Sequence, residues 1–169
     1  MFLIDFTQLP ETAPAWLDSS ESMTLLMTRA AAPRLLQHEL LELGWTQAAA
    51  TEQRIWSGFS VGERLWQRQI AFAVDGERWM WARVLIPAAS VTGPGVFLQY
   101  CGAESLGYTL FQDPQLTRQA LGAEHTAEGG VMRHGLYTFY NRPLVISEYF
   151  APALLQQEKP CLTDLPTGA

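Results

Sequence analysis

The chain has 169 residues, 48% of them hydrophobic, enough to bury the core of one domain. A formal charge of −6 and a pI near 5.0, with eleven scattered Lys and Arg, exclude the basic field by which nucleic-acid binders neutralise phosphates. Two cysteines, Cys101 and Cys161, supply neither a disulfide framework nor a zinc-type cluster, so a reduced, cytoplasmic compartment is expected. The opening "MFLIDF" is apolar but short and lacks a basic flank, and no run approaches the roughly 20 apolar residues of a membrane span, so the protein is expected to be soluble. No repeat, low-complexity block or linker divides the chain. One domain over residues 1–169 is expected, with an irregular arm over 1–17, marked by Pro10 and Pro14, and a tail over 158–169.

In "DSSESMTLLMTRAAA", Asp18 lies three residues before Glu21, a capping-box pattern, and helix-forming residues follow until Pro33. "RLLQHELLELGW" is ambiguous: Leu36, Leu40 and Leu43 have helical spacing, which slightly favours a helix, while the length also suits a strand. "RLWQRQIAFAVDGERWMWARVLIP" is a hairpin around Asp75 and Gly76, because an Asp-Gly pair tolerates the positive φ of a two-residue turn. Counting outward from that turn puts Phe72 opposite Trp79, Ile70 opposite Trp81, Arg68 opposite Arg83, and Trp66 opposite Leu85. "VTGPGVFLQYCGAESLGYTLF" mixes turn residues with short apolar runs and predicts a loop with one or two short helices. "LTRQALGAEHTA" suits either regular structure, and "GLYTFYNRPLVISEYFAP" predicts a second hairpin about an Asn-Arg-Pro turn.

Two arginines abreast on an aromatic face repel one another unless something anionic lies between them. In the last strand, alternation sets Glu148 on the face of Leu144, Ile146 and Phe150, where a carboxylate is expensive unless paired, protonated or hydrogen-bonded. Arg68, Arg83 and Glu148 together suggest a small apolar pocket for a dianion, two cations gripping carboxylates and one acid handling a proton. A plainer reading fits the same residues: arginines snorkelling at a sheet edge, and Glu148 closing an internal salt bridge. The "GPG" at Gly93 to Gly95 reads as a turn, and His38, His125 and His134 lack metal-ligand spacing.

Four segments in order, "DSSESMT", "RLWQRQIAFAVDGERWMWARVLIP" through "SVTGPG", "SLGYTLFQDPQLTR" and "RPLVISEYFAP", resemble bacterial chorismate lyases; together they run from about Asp18 to Leu154. The resemblance implies an α+β fold: a single antiparallel β-sheet with helices packed on one side and helical flaps over an enclosed ligand site, in which "RLLQHELLELGW" is a strand. It implies removal of the enolpyruvyl group of chorismate to give 4-hydroxybenzoate and pyruvate, the first committed step of ubiquinone synthesis, by a monomer using no metal or organic cofactor. By position, Arg68 would grip the ring carboxylate, Glu148 would contact the ring hydroxyl, and Met23 and Leu106 would contribute main chain to the product pocket. Arg83 matches a second arginine close to the site. The N-terminal arm, "LQYCGA" and residues 120–133 match poorly. The same fold resembles effector-binding domains of bacterial transcription regulators, so a non-catalytic small-anion binder is the alternative, although no helix-turn-helix pattern accompanies it.

Overall fold

The computed structural model describes residues 9–100 and 110–161. Its strands are β1 (Leu36–Gln47), β2 (Arg64–Val74), β3 (Glu77–Pro87), β4 (Leu116–His125), β5 (Val131–Phe139) and β6 (Arg142–Phe150). They form one six-stranded antiparallel sheet in the order β1-β2-β3-β6-β5-β4. Among the described residues four short helices accompany it: α1 (Ala13–Leu17), α2 (Met23–Ala31), α3 (Ala50–Ile55) and α4 (Pro152–Leu155). Tight 3-10 turns span Ala88–Ser90 and Gly93–Gln99 after β3. The expected flaps fall partly on residues 101–109, outside the described residues.

The Asp75-Gly76 turn forms as the sequence predicts, with φ of 52° and 81°. The register beyond it differs. Val74 faces Glu77 and Ala73 faces Arg78, but Phe72 then faces Met80, because Trp79 is an extra residue bulged out of the ladder. The bulge lets Trp79 and Met80, 1% and 2% exposed, both enter the same core, which strict alternation forbids. Every β3 residue past it changes face relative to the simple count. Arg68 therefore faces Val84, and Arg83 faces Gln69.

A bulge also resolves the ambiguous segment. β1 is a strand, as the family resemblance implies, and not the helix that its leucine spacing favours. Leu40 faces Ile70 and Leu43 faces Arg68 on one side of the sheet, with Leu41 as the extra residue between them. The helix-like interval is two strand steps plus one inserted residue. The last hairpin turns at Tyr140 and Asn141, with φ of 48° and 59°, and not at Asn-Arg-Pro. The undecided "LTRQALGAEHTA" segment is the edge strand β4.

On one face of the sheet, Trp16 and Leu17 of α1, Leu26 and Met27 of α2, and Leu154 and Leu155 of α4 pack on Ile70, Phe72, Met80, Val131 and Phe150. The same face continues into a second core around Val84, Ile86, Leu98, Tyr137, Leu144 and Ile146. Helices do not keep to one side, however: Ile55 of α3 packs on Leu85, Val145 and Leu136, on the opposite face. Two boundaries also shift. Asp18 closes α1 instead of opening α2, which starts at Met23 after Ser22, and α1 itself lies within the stretch expected to be irregular. The start of the expected tail is docked, Lys159 to Glu21 at 2.5 Å and Arg29 to the Cys161 carbonyl at 3.0 Å.

Candidate functional site

Between the two cores of the helix-covered face lies a row of charge. Arg68 on β2 is 4% exposed and Glu148 on β6 is 3% exposed. β3 runs between their strands, so the floor separating them is made by Ala82, opposite Glu148, and Val84, opposite Arg68. Ala82 is small, and space opens above it. Arg68, Glu148, Ala82, Ile146, Phe111 and Met23, the first residue of α2, line a cavity of about 50 Å³ there. One water needs ~10–15 Å³ of such space, so the cavity is several waters large and apolar apart from the two charged groups and Thr24.

Three predicted residues, Met23, Arg68 and Glu148, are thus brought together. Leu106 lies outside the described residues. Arg83 is not at this cavity, and its expected position beside Arg68 is corrected by the Trp79 bulge. Its side chain stands on the far face, where Nη1 donates to Glu52 Oε1 at 2.8 Å and Nη2 and Nε donate to Gln67 Oε1 at 2.7 and 3.2 Å. Burial raises the Glu52 pKa, but hydrogen bonds from Thr51, from Arg83 and from backbone N–H groups outweigh it, leaving the carboxyl below its ordinary value.

The sequence reading missed Arg133. It lies on β5 directly opposite Glu148 and is 2% exposed. Its Nε and Nη2 reach Glu148 Oε2 at 2.7 and 2.5 Å. Its Nη1 donates to the carbonyls of Leu17 and Ser19, at 2.8 and 3.1 Å, in the link between α1 and α2. This is the internal salt bridge of the plainer reading, with a partner other than Arg68 or Arg83. Both guanidinium contacts fall on Oε2, so Arg133 holds Glu148 by one oxygen while the residue lines the cavity. The signal was available: Val131, Arg133, Gly135, Tyr137 and Phe139 alternate along β5, with an arginine in phase with the apolar side.

Tyr137 extends the charged row. A Cβ on Gly135 would meet the Tyr137 ring at 2.4 Å and its hydroxyl at 3.1 Å, so the absent side chain lets the ring lie back along β5. Burial raises the Tyr137 pKa and the Glu148 charge adds to it, with Arg133 and Arg118 opposing. The hydroxyl is therefore protonated at neutral pH.

On the far face, His134 Nδ1 is 2.8 Å from Ser147 Oγ, and burial lowers the His134 pKa against the pull of Glu124. Among the described residues no group of three His, Cys, Asp or Glu side chains is gathered for a metal, and no helix is long and apolar enough to cross a membrane.

Comparison with known proteins agrees with this architecture. The C-terminal domain of the histidine utilization repressor from Pseudomonas syringae pv. tomato str. DC3000 has a TM-score of 0.55 over 79% of this chain and 99% of that one, at 11% identity. The effector domain of PhnF from Mycobacterium smegmatis has a TM-score of 0.50 over 79% and 90%, at 12% identity. These likenesses are of fold. The chorismate pyruvate-lyases of Enterobacter sp. (strain 638) and Salmonella newport (strain SL254) are each 35% identical, over 91 and 92 residues. Those stretches are 54% and 53% of this chain and 54% of each relative, so the chain spans about half the length of the curated relatives it matches. The chorismate lyase family model matches residues 4–159, the whole sheet and all four of the described helices, and by that match the chain belongs to the chorismate lyase family.

Proposed function

We propose that the chain eliminates the enolpyruvyl group of chorismate, yielding 4-hydroxybenzoate and pyruvate without a metal or organic cofactor, as the first committed step of ubiquinone synthesis. One observation carries the reading: a buried guanidinium and a buried carboxylate face a single small apolar cavity across one intervening strand. Neighbouring strands lie roughly 4.8 Å apart, so Arg68 and Glu148 spring from lines about 10 Å apart. Side chains leaning inward from such lines suit a six-membered ring with a carboxylate at one end and a hydroxyl at the other.

In this reading Arg68 binds the ring carboxylate bidentately, and Glu148 Oε1, the oxygen not held by Arg133, accepts a hydrogen bond from the ring hydroxyl and orients it. Met23, the first residue of α2, closes the pocket from the helix side. Cleavage of the ether C–O bond leaves its electron pair on the departing enolpyruvate oxygen. The ring carbon bearing the hydroxyl gives up its hydrogen, the ring becomes aromatic, and the enol takes a proton to become pyruvate. Fixed cations in a water-poor pocket stabilise the charge that develops on the leaving oxygen, and aromatisation supplies much of the driving force.

The test is to incubate purified protein with chorismate and follow both products, with and without chelator. Equal yields of pyruvate and 4-hydroxybenzoate that survive chelation are expected. Arg68→Ala is expected to lower kcat/KM at least about tenfold, the effect of losing one charged hydrogen bond; full turnover by that variant removes the assignment. The likeness in fold to the repressor's C-terminal domain favours one alternative, a small-anion sensor, and binding of chorismate without either product would select it.

A further inference from the structure

Chorismate carries two carboxylates, and the cavity just described provides for one. The second lies on the enolpyruvyl ether, at the ring position next to the hydroxyl, so its partner must stand on the Glu148 side of the pocket. Arg83, the sequence's candidate, is separated from that position by the sheet. Arg133 has its guanidinium spent on Glu148 and on the carbonyls between α1 and α2. Arg142 is tied to the Ala89 carbonyl and the Thr92 hydroxyl.

Arg118 remains. It lies on β4 directly opposite Tyr137, and with Ser20, Phe111, Leu116 and Tyr137 it lines a second pocket. Phe111 belongs to both this pocket and the Arg68–Glu148 cavity, so the two adjoin at that ring. Tyr137 lines this second pocket, and its hydroxyl is within electrostatic reach of both Arg118, to which it is hydrogen-bonded, and Glu148 of the first. Gly135 is what brings it there, since any side chain at that position would displace the ring. A guanidinium, a phenol hydroxyl and the Ser20 hydroxyl around one recess, with an aromatic wall toward the ring site, make a carboxylate acceptor.

We propose that Arg118, with Tyr137 and Ser20, is the subsite for the enolpyruvyl carboxylate, which makes it a determinant of substrate over product; this rests on the chorismate reading above. The product 4-hydroxybenzoate has lost that carboxylate. Substrate and product affinities should therefore separate in a variant of Arg118 and fall together in a variant of Arg68.

The experiment compares wild type, Arg118→Gln, Arg118→Lys and Arg68→Ala by chorismate turnover and by quenching of tryptophan fluorescence with 4-hydroxybenzoate. Arg118→Gln is expected to lose about tenfold or more in kcat/KM, the scale of one charged hydrogen bond, while its Kd for 4-hydroxybenzoate stays within about twofold. Arg118→Lys should recover part of the loss, and Arg68→Ala should weaken both. Wild-type turnover by Arg118→Gln overturns the subsite, as does an equal loss of substrate and product affinity. If the wild type binds chorismate without turning it over, the activity reading fails by itself, and the ratio of chorismate to 4-hydroxybenzoate affinity in Arg118→Gln still decides the subsite. Arg118 is exposed, and an unchanged melting temperature verifies that the fold is intact.

Discussion

Arg133 shows how much one buried side chain commits. Its three nitrogens serve a carboxylate on β6 and two carbonyls at the joint of α1 and α2, so it fixes Glu148 and the first helices at once. Replacing it with methionine leaves Glu148 buried without its counter-charge, and such a loss costs about 3–5 kcal/mol. Urea unfolding of Arg133→Met is expected to show a deficit of that size. The double variant Arg133→Met with Glu148→Leu should regain most of it, because two apolar groups of similar volume need no pairing. At this scale the sequence was legible where a charge broke an alternating pattern. Arg68 and Glu148 were found that way, and Arg133 breaks the same pattern in β5. It was hidden by the turn: with the reversal set at Tyr140 and Asn141, the same outward count pairs Arg133 with Glu148.

Among the elements, α3 is the one the single-sided picture left out. Six residues long, it lies on the face away from the cavity and is held there by Ile55 and by Glu52, which reaches Arg83 on β3 and caps the backbone N–H of Ala49 at 2.9 Å. Arg83 is accordingly a structural partner of α3. The lowered Glu52 pKa means that the folded state binds fewer protons than the unfolded chain near and below pH 4.5, the ordinary value. Its contribution is complete above that pH and fades as the pH falls through the lower folded value. Glu52→Gln is expected to cost about 1–2 kcal/mol at pH 7, at the low end for a charged hydrogen bond because Arg83 stays partly exposed. The same variant should flatten the acid limb of a stability curve followed by circular dichroism. Periodicity misread β1 for the reason its bulge supplies: an inserted residue turns a two-residue repeat into an interval that a helix also makes.

Taken whole, the sheet is two three-stranded units, β1-β2-β3 and β4-β5-β6, joined by the pairing of β3 with β6. The candidate site straddles the join, with Arg68 on the first unit and Glu148 on the second. A ligand gripping both should therefore tie the units together. At a hundredfold excess over its Kd, 4-hydroxybenzoate is expected to add about 2.7 kcal/mol to stability. For a chain of this size that is a rise of roughly 5–10 °C in Tm, measurable by calorimetry and absent in Arg68→Ala. The antiparallel character of the sheet was legible in two strong hairpins. The order of its strands was not, since nothing local in either hairpin specifies that β3 and β6, far apart in the chain, should lie side by side.

The bulge at Trp79 has a wider meaning. A single surplus residue is enough to carry a guanidinium through a wall of backbone without altering the composition on either flank. Removing Trp79 would leave Arg83 opposite Gln69, because Phe72 already pairs with Met80; only drawing Trp79 into the ladder opposite Phe72 would bring Arg83 abreast of Arg68 and take it from α3. Sidedness in this protein is thus set by the parity of a count, and the one residue that β3 leaves unpaired decides it.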